Sequence, residues 1–329
     1  MISRREWVRV ALGTGAAAGA AGTTPRLLRA IERLPQGQLV ERAIPTTGER
    51  LPVIGLGSSA TFSQVARSEE VSALGEVLKT LVERGGRVFD TAPGYGSSEE
   101  VAARLANELG IAGRIFWATK VNVARGAGQA DPAEARAQLD RSIARIGQPR
   151  VDLVQVHNMG DPATQLPILR EYKRQGKIRY LGITTTFEQQ YQQLIDVMKN
   201  EPLDFIGTDY AADNRGVVED TILPLAMERK IAVLSYAPFG RTSLFRRVGD
   251  RPLPEWATEF DARTWPQLFL KWVVGHPAVT CVTPATSRAE HMVDNLGGGI
   301  GRLPDAAMRK RIADYVDALP APPPRGRPG

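Results

Sequence analysis

Sulfur and imidazole are scarce in this chain. Its 329 residues include one cysteine, Cys281, and three histidines, His157, His276 and His291. A single cysteine excludes an internal disulfide and any multi-cysteine metal centre. The histidines show no HxxxH spacing, so the reading includes no metal site. Cys281 lies in the apolar run VTCVTP and reads as a buried structural thiol. Long apolar runs are missing too: the weakly apolar stretch near the N-terminus, roughly a dozen residues, is too short to cross a bilayer. A basic stripe interleaved with aromatics is also absent, which argues against a nucleic-acid partner. The formal charge of +6 collects in the first 42 residues and at Arg325 and Arg327, leaving the body close to balanced.

The N-terminus reads as an address rather than as fold. Ser3-Arg4-Arg5-Glu6-Trp7-Val8-Arg9 sets paired arginines before an aromatic, an aliphatic and a basic residue, and a Gly/Ala-rich stretch follows. That order resembles a twin-arginine (Tat) export signal, read over residues 1–22 with a linker to 35. It implies the Tat export machinery as a partner and a periplasmic or cell-envelope location. At the other end, APPPRGRPG makes 316–329 a flexible Pro/Arg tail.

Between these ends, short apolar runs alternate with amphipathic segments. The strand candidates are 53–56, 88–90, 115–119, 153–157, 179–183, 205–209, 232–235 and 280–283. Val71, Leu74, Leu78 and Leu81 recur at helical spacing. Ser97 with Glu100, and Asp131 with Glu134 and Pro132 between them, read as helix starts. Ser287-Arg-Ala-Glu290 opens a later helix, and Ile312, Tyr315 and Val316 mark an added C-terminal one. Eight strands alternating with helices predict an α/β fold, a single (β/α)8 TIM barrel over residues 42–315. A doubly wound sheet is the alternative, weakened because GLGSSA at 55–60 is a poor GxGxxG.

In such a barrel, reactive groups sit at the C-terminal strand ends. Asp90 closes the second strand and Tyr95 follows it, within FDTAPGYGSSE. Lys120 ends the third (ATK) and His157 the fourth (VDLVQVHN). A free phenol has a pKa of about 10; a neighbouring ammonium is expected to lower it. Asp90 would hold Lys120 charged, and His157 would donate to a carbonyl oxygen. A phenolic acid facing a carbonyl suits reduction, and since side chains supply no hydride, a nicotinamide or flavin is required.

These motifs, in this order and spacing, resemble the aldo-keto reductase family. The resemblance implies Tyr95 as general acid/base, Lys120 and Asp90 as its tuners, and His157 as the residue orienting the substrate carbonyl. It implies NADP(H), with NAD(H) as the alternative, and a small-molecule aldehyde, ketone or sugar carbonyl. Gly57 would contact the cofactor, and Asp90, Thr184 and Tyr236 would lie at the nicotinamide end, with Tyr236 stacking on the ring. Thr286, Arg288 and Asn295 would lie at the adenosine end, with Arg288 supplying charge for the 2′-phosphate. Two departures stand out. Gly207 replaces the family's usual glutamine, and Ala285 and His291 replace a lysine and an arginine. Two other readings remain open: an exported NADP(H)-binding or redox-sensing module with little turnover, and a nicotinamide-independent lyase or isomerase on the same fold.

Overall fold

A chain with eight strand-like runs must pair each backbone edge, and closing the sheet on itself removes both edges. The computed structural model describes residues 25–321, apart from residues 36, 60, 69–70 and 125–127. The Tat-like segment, residues 1–22, and the tail from 322 lie outside the described residues. An antiparallel hairpin comes first, β1 (Glu41–Ala43) with β2 (Arg50–Pro52). Then follow β3 (Leu56–Gly57), β4 (Val88–Asp90), β5 (Phe116–Val121), β6 (Val151–Val156), β7 (Ile178–Thr185), β8 (Phe205–Asp209), β9 (Ala232–Tyr236) and β10 (Val279–Val282).

These last eight pair in parallel in sequence order, from β3 to β10. Parallel bridges from Ile54 to Val282 and from Gly57 to Ala285 join the two edges, so the sheet is a closed barrel. The expected strand over 53–56 is therefore a bridge at Ile54 followed by the two-residue β3. Its backbone approaches its neighbours closely: a Cβ at Gly55 would come within 2.8 Å of the Val88 carbonyl, and one at Gly57 within 2.6 Å of the Thr283 carbonyl. Glycine is required at this seam.

The helices are α1 (Pro25–Glu32), α2 (Thr61–Val65), α3 (Ser72–Glu83), α4 (Ser98–Glu108), α5 (Pro132–Ile146), α6 (Pro162–Arg174), α7 (Tyr191–Asn200), α8 (Leu223–Glu228), α9 (Ser243–Val248), α10 (Trp265–Val274), α11 (Ala289–Gly297) and α12 (Ala306–Ala318). The Asp131 start is realised: its carboxylate accepts from Ala133 N at 2.8 Å, with Pro132 in the first turn. The Ser97 start is realised in position only, with Ser97 at the N-cap of α4. Its side chain makes no cap, and Ser98 Oγ instead donates to the Tyr95 carbonyl at 2.9 Å. In α12, Ile312 and Val316 are buried, so the packed helix runs past residue 315 to Ala318.

The barrel interior is filled at its N-terminal end. Val88, Phe116, Leu153, Tyr180, Phe205 and Cys281 form one apolar cluster, closed from below by Ile44 and Leu51 of the hairpin. Cys281 is a buried thiol pushed up by burial. The hairpin turn adds Glu49, which pairs with Arg179 and accepts from Tyr180 Oη at 2.7 Å; Arg179 also reaches Asp152 at 2.7 Å. The barrel interior is sealed at this end, and in barrels of this kind reactive groups sit at the opposite, C-terminal end.

Candidate active site

Asp90, at the end of β4, and Lys120, in β5, are neighbours in the sheet, because β4 pairs with β5. Their side chains meet inside the barrel mouth. Lys120 Nζ donates to Asp90 Oδ2 at 2.7 Å and to the Thr91 carbonyl at 2.8 Å. Both are almost fully buried. Burial pushes the Asp90 carboxyl up, partly offset by Lys120. Burial lowers the Lys120 ammonium, yet Asp90, Tyr95 and Glu99 raise it above its ordinary value. The pair holds its proton on the lysine, as expected of a desolvated cation with a hydrogen-bonded counter-ion.

Tyr95 stands on the turn after β4. Its N–H donates to the Ala92 carbonyl at 2.9 Å, and the next residue, Gly96, has φ +62°, a conformation glycine adopts without strain. Lys120 Nζ lies 5.3 Å from the Tyr95 ring centre. The His157 ring meets the Tyr95 ring edge-on at 5.8 Å. The Tyr95 phenol is shifted opposite to expectation: burial raises it, and Lys120 only partly offsets that. Here desolvation of a phenolate outweighs one ammonium already engaged with Asp90.

His157 follows β6 on a strained turn. Asn158, Met159 and Asp161 have φ of 53°, 55° and 44°, at about 1–3 kcal/mol each. The turn is held from outside: Asn122 Nδ2 donates to the His157 carbonyl at 2.8 Å, and Asp161 Oδ2 accepts from Ala130 N at 2.9 Å. Burial, and then Lys120, depress the imidazole to about 3, so His157 is neutral and carries one N–H.

A cavity of about 870 Å³ opens over these groups. Its walls include Gly57, Asp90, Tyr95, Lys120, His157, Thr184 and Tyr236. The structure therefore brings together every residue that the sequence placed at the catalytic and nicotinamide end. Those placed at the adenosine end lie elsewhere, on the loop after β10 and on α11. Thr286 Oγ1 accepts from Arg288 N at 3.1 Å, and Asn295 is buried on α11. Neither belongs to the walls of this cavity. Arg288 stands at the N-cap of α11, one residue beyond the expected Ser287 start, and its guanidinium pairs with Glu290 at 2.8 Å.

Further features of the site went unread in sequence. A Cβ at Gly207 would fall 2.4 Å from Tyr236 Cε2, so the missing side chain is the space that the Tyr236 ring occupies. There the Tyr236 hydroxyl accepts from Gln155 Nε2 at 2.8 Å and donates to Asp90 Oδ1 at 3.3 Å. Arg241, in APFGR, lines the cavity and donates to Thr186 Oγ1 at 2.9 Å. A cation just beyond an apolar strand end was its available signal. Phe239 lines the cavity as well, whereas several other large aromatics pack away from it. Trp117 packs against Phe89 in the core, Phe245 and Trp265 against Phe269, and Trp256 against Tyr315.

Known proteins resemble this chain in sequence and fold. Residues 53–311 match the Aldo/keto reductase family. The NADP(+) aldo-keto reductase yakc of Schizosaccharomyces pombe is 24% identical over 318 residues, covering 84% of this chain and 92% of that protein. L-glyceraldehyde 3-phosphate reductase of Escherichia coli is 24% identical over 305 residues, covering 79% and 87% respectively. Among solved structures, the holo form of aldo-keto reductase AKR11C1 from Bacillus halodurans superimposes with a TM-score of 0.67 at 20% identity, covering 85% of this chain and 96% of its own. With the match spanning the whole barrel, from its first bridging residues into the last helix, the chain belongs to the aldo/keto reductase family.

Proposed function

We propose that this protein reduces an aldehyde, ketone or sugar carbonyl with NADP(H), with Tyr95 as proton donor. The observation that carries the reading is the buried Lys120–Asp90 pair at 2.7 Å, with Tyr95 over the ammonium and His157 edge-on to the phenol. The cavity suits a nicotinamide: it offers the Tyr236 ring as an aromatic face, and in its wall the buried Thr283 hydroxyl has no hydrogen-bond partner among the described residues. Bound there, a nicotinamide would supply the hydride equivalent that no side chain can.

The residues then divide the work. Tyr95 is protonated through neutral pH because burial raises it, so it holds the proton that a developing alkoxide needs. Lys120 stabilises the phenolate left behind, and Asp90 fixes Lys120 in place. Neutral His157 offers its N–H to the carbonyl oxygen, which polarises the bond and orients the substrate. NADP(H) is favoured over NAD(H) by the cations near the loop after β10, and the S. pombe relative is named for NADP(+). On the same reading the protein acts outside the cytoplasm, supported by the arginine pair at Arg4–Arg5.

The test is a fluorescence titration of the full chain with NADPH and with NADH, followed by multiple-turnover assays on a panel of aldehydes and ketoses. Saturable NADPH binding and turnover are expected. Binding of neither dinucleotide would remove hydride transfer and bring the lyase or isomerase reading forward. A copurifying cofactor that does not exchange would favour the binding module.

A further inference from the structure

The stretch 283–288 runs from one cavity to another. Thr283, Pro284 and Ala285 line the catalytic cavity. Arg288 lines a second hollow of about 390 Å³. The far wall of that hollow is α1, a segment that sequence reading assigned to the linker behind the export signal. Here α1 packs on α11. Arg26 and Arg29, with Arg33 just after the helix, fall at i, i+3 and i+7 and line the hollow opposite Arg288, His291 and Asp294.

The charges in this hollow are unequally committed. Arg288 is already paired with Glu290 at 2.8 Å. Asp294 accepts from Thr264 Oγ1 at 2.8 Å and from Gln267 Nε2 at 2.9 Å, and Arg33 acts on it electrostatically. Burial holds the His291 imidazole below its ordinary value. Arg26 and Arg29 make no ion pair and no side-chain hydrogen bond among the described residues. Two uncommitted guanidiniums facing a hollow are a ready receptor for a dianionic phosphate, which they can grip in bidentate fashion.

We propose that α1 belongs to the dinucleotide site: Arg26 and Arg29, beside Arg288, hold a terminal phosphomonoester on the adenosine end of a ligand whose reactive end lies at Tyr95. This rests on the NADP(H) reading above. The family resemblance puts Ala285 and His291 where cations are usual, and α1 returns the missing charge from another part of the chain. The segment behind the export signal is then a working part of the enzyme.

The full chain, Arg26→Gln/Arg29→Gln and Arg26→Lys/Arg29→Lys are titrated calorimetrically with NADPH, NADH, adenosine 2′-monophosphate and inorganic phosphate. The glutamine pair should weaken NADPH and adenosine 2′-monophosphate by about tenfold, as for two partly exposed charged contacts. NADH should be unmoved, and the lysine pair should restore most of the loss. Unchanged NADPH affinity overturns the proposal, as does an equal loss for NADPH and NADH, which would mark α1 as structural. Inorganic phosphate bound as tightly as adenosine 2′-monophosphate overturns the nucleotide assignment. If the wild type binds neither dinucleotide, the reductase reading fails by itself. Arginine-dependent binding of adenosine 2′-monophosphate would then still uphold the clamp, and its absence would remove it.

Discussion

The two ends of the barrel treat charge in opposite ways. At the N-terminal end, Glu49 engages Arg179, Arg87 and Tyr180, and Arg179 also engages Asp152. Burial pushes Glu49 up, but these partners pull it below its ordinary value, so it is ionised and satisfied. At the C-terminal end, one lysine serves one aspartate under near-complete burial, and a phenol, a neutral imidazole and a threonine hydroxyl unpartnered among the described residues surround them. The sealed end spends its polar groups on each other. The open end leaves valences free, and free valences facing a cavity are where a substrate can be bound and a proton moved.

The sharpest break in this comparison is Tyr95→Phe. It removes the proposed proton donor and leaves both side chains of the Lys120–Asp90 pair in place, so turnover should fall by about 100- to 10,000-fold. Dinucleotide binding and melting temperature should be preserved. Full activity in this variant would end the assignment of Tyr95.

Neutralising one carboxylate at each end compares the ends directly. Asp90→Asn strands a buried ammonium, which costs about 3–5 kcal/mol of stability, and it should abolish turnover as well. Glu49→Gln should cost about 1–3 kcal/mol, read as a lower denaturant midpoint, with kcat unchanged. Equal effects on kcat from both would show that the ends are not functionally distinct.

A smaller effect is expected at Gly207. Even alanine would drive a methyl into the Tyr236 ring, so Gly207→Ala should weaken dinucleotide binding by roughly tenfold, the scale of an overpacking cost of about 1–3 kcal/mol. Tyr236→Phe separates the ring from its hydroxyl: retained binding with slower turnover would assign the hydroxyl to holding Asp90.

The mildest prediction concerns pH. His157 is depressed from 6.5 to about 3 in the fold, so the unfolded chain takes up the proton first. Its contribution to stability is complete above about 6.5 and is lost as pH falls toward 3. Because the imidazole is already neutral, kcat/KM for reduction should show no histidine limb near 6.5. A limb there would mean that His157 titrates in the working enzyme.

Legibility followed locality. Strand 88–90 and its terminal aspartate were readable because an apolar run ending in a charged residue announces its own end. The Asp131 start was readable because the cap and its proline are adjacent in the chain. The 53–56 strand was misplaced because the barrel seam, where Gly55 and Gly57 approach Val88 and Thr283, exists only after closure. The hairpin over Ile44 and Leu51 went unread, since three-residue strands carry almost no periodicity. The direction of the Tyr95 shift was misjudged because burial is set by the whole mouth rather than by the one neighbour that spacing suggests.

Sequence alone determined the eightfold alternation and the grouping of Asp90, Tyr95, Lys120 and His157, because a strand displays the residues at its end wherever the barrel is built. Tertiary structure decided what each of those groups can do. Gly207 and Tyr236, Gln155 and Tyr236, and α1 and α11 are through-space partners distant in the chain, and only closure of the barrel brings them within reach. Burial then sets which proton stays on which atom, a property of the enclosure and of no single residue.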